Sequence, residues 1–249
     1  MYSKSYGALN NAMGGATLFE PSGFESVSNP AFLSFSKKKV LSISQELPYF
    51  QKDLAISAIT FTHSIKQLPY SIAFIQTGNP YFLQHILAFA CSQKLAKQLY
   101  LGVKLNYLHT QQFQNKTAHT LIGGIGVILG INGQISIHSS LTNFNGAAFP
   151  IKTEQHLPLQ LAIGINYKIQ DQLKWMLEFN QLEKIQKNCL GISYEPNKKI
   201  KLVAGVDLNS QQAGFGMSYK AKSINLNIAM ANHKTLGLWP ICDLQYLFK

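Results

Sequence analysis

The chain contains no arginine; all 22 of its basic residues are lysine. Acidic residues are half as many, at 11, so the net charge is +11, yet charged residues make up only 13% of the sequence. A soluble domain ordinarily carries about twice that share. Without Arg there is no planar fork to grip phosphates or guanine edges bidentately, which argues against specific nucleic-acid recognition despite the basic charge. Lysine in such a chain is expected in turns, in a polar interior and beside anionic lipid headgroups. Long hydrophobic runs are also lacking. The longest, Leu121 to Ile131, is broken by four glycines and falls well short of the roughly 20 residues a transmembrane helix needs. The three cysteines, Cys91, Cys189 and Cys242, are odd in number and widely spaced, which gives neither a disulfide framework nor a zinc motif. No Gly-x-Ser-x-Gly, His-Glu-x-x-His or phosphate loop occurs, so the chain reads as a non-enzyme with no cofactor. Seven His are scattered along it. His109 and His119 flank one expected loop and could meet across a hairpin, at best a partial metal site.

What the sequence has instead is alternation. In Leu99-Tyr100-Leu101-Gly102-Val103-Lys104-Leu105-Asn106-Tyr107 the odd positions are apolar and the even ones are mostly small or polar. A strand written this way has one oily and one wet face. Similar bursts recur to the C-terminus, as in Ile200, Leu202, Ala204 and Val206 against Lys201, Gly205 and Asp207. With 46% apolar residues and little charge, the pattern predicts an all-β fold: a transmembrane antiparallel β-barrel whose oily face meets lipid. Cys91 and Cys242 fall in that oily register.

The bursts predict strands at Val40–Gln45, Leu54–Thr62, Tyr70–Gln76, Phe82–Ser92, Leu99–His109, His119–Ile131, Gly133–Ser139, Leu157–Lys168, Leu173–Asn180, Cys189–Tyr194, Ile200–Leu208, Gln212–Lys220, Ser223–Ala231 and Leu236–Phe248. That is about 14, an even number as single-chain outer-membrane barrels have. Longer connections (Thr110–Lys116, Ser140–His156, Gln181–Lys187) alternate with short ones such as Asn132-Gly133, as expected of outer loops and periplasmic turns. The last strand places Leu244, Tyr246 and Phe248 on one face, the aromatic ending common in bacterial outer-membrane proteins and read there as an assembly signal. Localisation in a bacterial outer membrane follows as an expectation, with lipid or lipopolysaccharide around the wall. No export signal precedes the polar, Gly-rich start at Met1-Tyr2-Ser3-Lys4, so one is expected to have been removed.

Residues 1–38 do not alternate. They contain Ala12-Met13-Gly14-Gly15-Ala16, then Asn29-Pro30-Ala31, and the strands begin directly afterwards. This order resembles the start of barrels in the long-chain fatty-acid transporter (FadL-like) superfamily, closest to the Bacteroidota branch that includes the PorV and PorQ proteins of the type IX secretion system. The resemblance implies a fourteen-stranded barrel over residues 39–249 and a partly helical N-terminal plug over residues 1–38. The inward register is rich in glycine: Gly102, Gly124, Gly126, Gly164, Gly205, Gly214 and Gly216. Glycine in a strand often marks close approach by another backbone. The plug is therefore expected to fold against this wall, with Phe19, Phe24, Phe32 and Phe35 among its contacts. Asp207, Glu178, Lys174 and Lys201 share the inward register and are expected to pair with one another.

By resemblance, the first expectation is a non-enzymatic accessory or scaffold subunit of a protein export or surface-attachment complex, partnered by other outer-membrane or secretion proteins. The alternative is a passive FadL-like channel for small hydrophobic solutes. The shortness of the chain outside its strands favours the first.

Overall fold

The computed structural model describes residues 5–19, 21–36, 38–112, 116–148 and 157–248. Fourteen strands run in order: β1 (Val40–Glu46), β2 (Ile56–Ile65), β3 (Leu68–Asn79), β4 (Phe82–Ala96), β5 (Leu99–Gln112), β6 (Lys116–Gly130), β7 (Ile135–Thr142), β8 (Gln160–Gln170), β9 (Leu173–Leu182), β10 (Ile185–Asn197), β11 (Ile200–Asp207), β12 (Gln212–Ala221), β13 (Ile224–His233) and β14 (Gly237–Leu247). Each pairs antiparallel with the next, and β1 pairs with β14 from Val40↔Leu247 to Glu46↔Ile241, so the sheet closes on itself. Closure leaves no unpaired edge, the condition under which strands can cross a lipid core. The fourteen-stranded antiparallel barrel read from the alternation is the fold observed.

The strands run further than their apolar bursts suggest. The expected loop Gln181–Lys187 shrinks to a turn at Glu183-Lys184, and the two neighbouring strands pair as far as Ile185↔Leu182. Ladder hydrogen bonds continue through polar residues at the rims because backbone pairing does not depend on the side chain. The middle of the expected loop Thr110–Lys116 and the second half of Ser140–His156 lie outside the described residues. At β8 the shift is the other way. Leu157, expected on the oily face, precedes the strand and is buried, with its N–H bonded to the Ala147 carbonyl.

The two ends of the barrel differ. At the end holding the start of β1 and the finish of β14 every connection is brief; the β2–β3 turn is Lys66-Gln67, both with positive φ. We call this the terminal rim. Both long connections, 47–55 and 143–159, lie at the opposite end, the loop rim. Between the rims the outer wall is apolar. Ile72, Phe74, Leu87, Phe89, Val103, Leu105, Ile163, Ile165, Leu177, Ile192, Met217 and Ile228 all stand exposed. An unbroken apolar belt of this extent requires a lipid or protein cover. Tyr246 and Phe248 join it near the terminal rim with ring centroids 4.8 Å apart. Leu244 shares the outward face, at 46% exposure.

Candidate functional site: the occupied lumen

The interior is occupied by the chain's own N-terminal segment. One short helix, α1 (Ala8–Ala12), lies against β11–β14, and a 3-10 helix (Pro30–Phe35) lies against β3–β6. α1 ends because Gly14 and Gly15 adopt φ 74° and 81°, a left-handed conformation that glycine takes without a Cβ clash. The Gly15 N–H returns to the Asn10 carbonyl at 3.1 Å. The 3-10 helix starts at Asn29, whose side chain accepts from the Ala31 N–H at 3.0 Å and donates to the Ser139 carbonyl at 3.2 Å. Pro30 follows, where a missing N–H is harmless. Gly14, Gly15, Asn29 and Pro30 therefore each have a local reason.

The wall meets this segment through glycine. A Cβ on Gly205 would lie 2.6 Å from the Met13 backbone, and one on Gly214 would lie 2.8 Å from Ala12 and Asn11. Gly102 abuts the backbone of Pro30 and Ala31, and Gly126 abuts Asn29. A Cβ on Gly216 would stand 2.9 Å from the Ala12 methyl, and one on Gly164 would stand 3.4 Å from the Leu18 side chain. Gly124 is different: its neighbour is the side chain of Lys104. Gly191, absent from the expected set, packs on the Met13 side chain.

Inward ionisable side chains grip the segment's backbone, a correction to the expectation that they pair with one another. Glu178 accepts the N–H groups of Thr17 and Leu18, both at 2.8 Å, and the Thr17 hydroxyl at 2.9 Å. Asp243 accepts the Ala8 N–H at 2.6 Å and the Ser44 hydroxyl at 2.6 Å. Lys104 donates to the carbonyls of Val27 and Ser28 at 2.8 and 2.5 Å. Asn166 and Gln245 donate to the carbonyls of Phe19 and Ser22 at 2.6 and 2.7 Å. A segment without regular structure leaves many backbone groups unpaired, and burial makes each costly unless the wall supplies a partner. Asp207 turns to Asn188, Asn209 and Ser210 instead, while Lys201 meets Glu195 at 3.0 Å and Lys174 meets it at 4.0 Å.

On the loop-rim side of the segment the interior is apolar, and on the terminal-rim side it is mixed. Toward the loop rim, Ile56, Ile75, Ile86, Leu108 and Ile122 point inward and pack with Tyr6, Phe24 and Val27 of the segment and with Ala147 and Leu157 of the long loop. Sequence reading missed this lining by treating the inward register as uniformly polar or small. Its signal was the adjacent apolar pairs Phe74-Ile75, Ile86-Leu87, Tyr107-Leu108 and Leu121-Ile122, in which both faces are apolar. Toward the terminal rim a cavity of about 620 Å³ is lined by an aromatic patch of Phe19, Phe32, Phe35 and Tyr100 with Ile128, and otherwise by polar and charged side chains, among them His138, Asn166, Glu195, Lys168, Lys174, Lys201 and Lys220. Its volume is within the usual range for small-molecule sites. The rings of Phe35 and Tyr100 are 4.6 Å apart.

On the outside of β4–β6, His85, His109 and His119 form a cross-strand row, with Nδ1 of His109 and His119 3.1 Å apart. No group of three or more His, Cys, Asp or Glu among the described residues is arranged to hold a metal ion. Cys189 faces inward, its thiol donating to the Gly14 carbonyl at 3.4 Å, while Cys242 is exposed on the outer wall.

No family pattern and no curated protein matches the chain. Solved structures do. The P. putida toluene transporter TodX superposes with a TM-score of 0.74 at 10% identity, covering 98% of this chain and 99% of that one. The fold is that of a FadL-type barrel. The CymD monoaromatic hydrocarbon channel gives 0.74 at 10% identity over 97% of both chains, and a Pseudomonas aeruginosa FadL homologue gives 0.66 at 10% over 97% and 98%.

Proposed function

We propose that the protein is a passive outer-membrane channel for small apolar solutes, with the N-terminal segment as its internal barrier. The observation that carries this reading is the apolar wall of the lumen on the loop-rim side of that segment, together with an aromatic patch in the cavity on its other side. Ile75, Ile86, Leu108 and Ile122 line one side, and Phe19, Phe32, Phe35 and Tyr100 line the other. A polar pore would have no use for either lining. The whole-chain likeness to hydrocarbon channels supports the same reading. We place the loop rim outside the cell and the terminal rim in the periplasm, because outer-membrane barrels keep their short turns on the periplasmic side.

The PorV/PorQ-type scaffold role ranks below the channel, since it accounts for neither the loop-rim lining nor the aromatic patch. The test is uptake of a labelled monoaromatic hydrocarbon by cells that lack their own channel and express this chain. A saturable rate several-fold above the empty-vector rate is expected. An unchanged rate, with folded protein present in the outer membrane, would refute the channel. Stoichiometric recovery of secretion proteins with such an inactive barrel would favour the scaffold.

A further inference from the structure

The barrel's closing seam, where β1 meets β14, carries a second cavity at the terminal rim. It measures about 620 Å³ and opens beside the outer wall. Lys38 and Lys39 enter it from the approach to β1, and Lys222 from the β12–β13 turn, and all three are exposed. Ser64 and Ser223 add hydroxyl groups, and no carboxylate stands among its described lining residues. The seam is fixed here by the Phe248 N–H on the Lys39 carbonyl at 3.0 Å, and the Leu247 N–H ties β14 on its other side to the Ser223 carbonyl of the β12–β13 turn at 2.7 Å. Phe248 forms one wall and continues into the apolar belt through Phe61 and Tyr246, with ring centroids 6.5 and 4.8 Å from its own.

We propose that this cleft binds an anionic phospholipid, its phosphate diester between the three lysines and its acyl chains along Phe61, Tyr246 and Phe248. Three clustered ammonium groups with no opposing carboxylate among the described lining residues attract a net negative headgroup and repel the trimethylammonium of a zwitterionic one. Hydroxyl donors complete the shell of a phosphate oxygen. The cleft opens where the apolar belt ends, the depth at which a headgroup lies when its chains cover that belt. A bound lipid would tie β1, β12, β13 and β14 together across the seam. The inference rests on the barrel sitting in a bilayer and not on what passes through its lumen.

The test is native mass spectrometry of the full chain released from nanodiscs containing equal parts phosphatidylglycerol and phosphatidylcholine. One retained phosphatidylglycerol is expected, enriched over phosphatidylcholine by roughly a hundredfold given attraction to three lysines. Replacing Lys38, Lys39 and Lys222 together by Ala should bring the enrichment down to a few-fold. Replacing Lys52, Lys184 and Lys234 at the loop rim by Ala should leave it intact. Equal retention of the two lipids, or unchanged enrichment in the seam variant, would overturn the proposal. So would displacement of the lipid by glycerol phosphate at matched concentration, which would make a free phosphate the occupant. All variants are compared after insertion into nanodiscs, so a negative result leaves the channel reading standing.

Discussion

The grip of Glu178 on the N-terminal segment makes a demanding prediction, because its two simplest replacements should behave oppositely. Glu178 is fully buried, and one carboxyl oxygen accepts both backbone N–H groups, of Thr17 and Leu18, at 2.8 Å. The other accepts the Thr17 hydroxyl at 2.9 Å and, at 3.4 Å, the Asn180 amide, the one long contact that a Gln nitrogen there would give up. Glu178→Ala removes every acceptor and strands two backbone donors in the lumen. At about 1–3 kcal/mol for each orphaned donor, docking of the segment should weaken by roughly 2–6 kcal/mol. The middle of that range shifts the docked-to-undocked ratio by about three orders of magnitude. Glu178→Gln differs. Its amide oxygen can take the place of the oxygen that holds Thr17 and Leu18, and its amide nitrogen can donate to the Thr17 hydroxyl, which accepts as readily as it donates. The Gln variant should therefore lose about 1 kcal/mol or less. Chymotrypsin reads the difference, because Phe19, Phe24 and Phe32 are buried in the docked segment. In reconstituted barrels the Ala variant should be cleaved there rapidly and show raised conductance, while Gln and wild type stay resistant and quiet. Ala and Gln behaving alike, in either direction, would refute the reasoning.

Gly205→Val should be worse for docking than Gly216→Ala, since its Cβ would meet Met13 backbone atoms at 2.6 Å, whereas the nearest segment atom to a Cβ at 216 is the Ala12 methyl at 2.9 Å; overpacking of about 1–3 kcal/mol is expected, read as lowered urea midpoint or faster chymotryptic cleavage. Asn29→Ala removes the bond to the Ala31 N–H and should cost about 1 kcal/mol in the same assays. Lys66-Gln67→Asn-Gly replaces two left-handed residues, φ 46° and 69°, by the pair favoured in such turns. It should stabilise the barrel by about 1–2 kcal/mol, seen as a higher urea midpoint for unfolding from vesicles.

The fold was legible because a closed barrel imposes one rule on every strand. Lipid outside and protein inside give a period of two, and Leu99–Tyr107 shows it plainly. The rims were less legible, since β9 and β10 pair to Leu182 and Ile185 through residues with no apolar rhythm. The interior was hardest to read. Ile75, Ile86, Leu108 and Ile122 sit in a register that looked wet elsewhere, and only a filled lumen gives an inward isoleucine a place to pack. Nor could alternation show that Glu178 faces backbone N–H groups and not a lysine. Both arrangements need an inward carboxyl, and the choice depends on a segment 160 residues away in the chain.

That distance bears on the order of assembly. The Ala8 N–H finds its acceptor on Asp243, 235 residues later, on the last strand to be made. The N-terminal segment therefore cannot complete its contacts until β14 is in place, and long-range contacts of this kind form slowly. Docking of the segment and closure of the barrel are therefore coupled, because neither the inner lining nor the segment's backbone is fully covered before β14 joins.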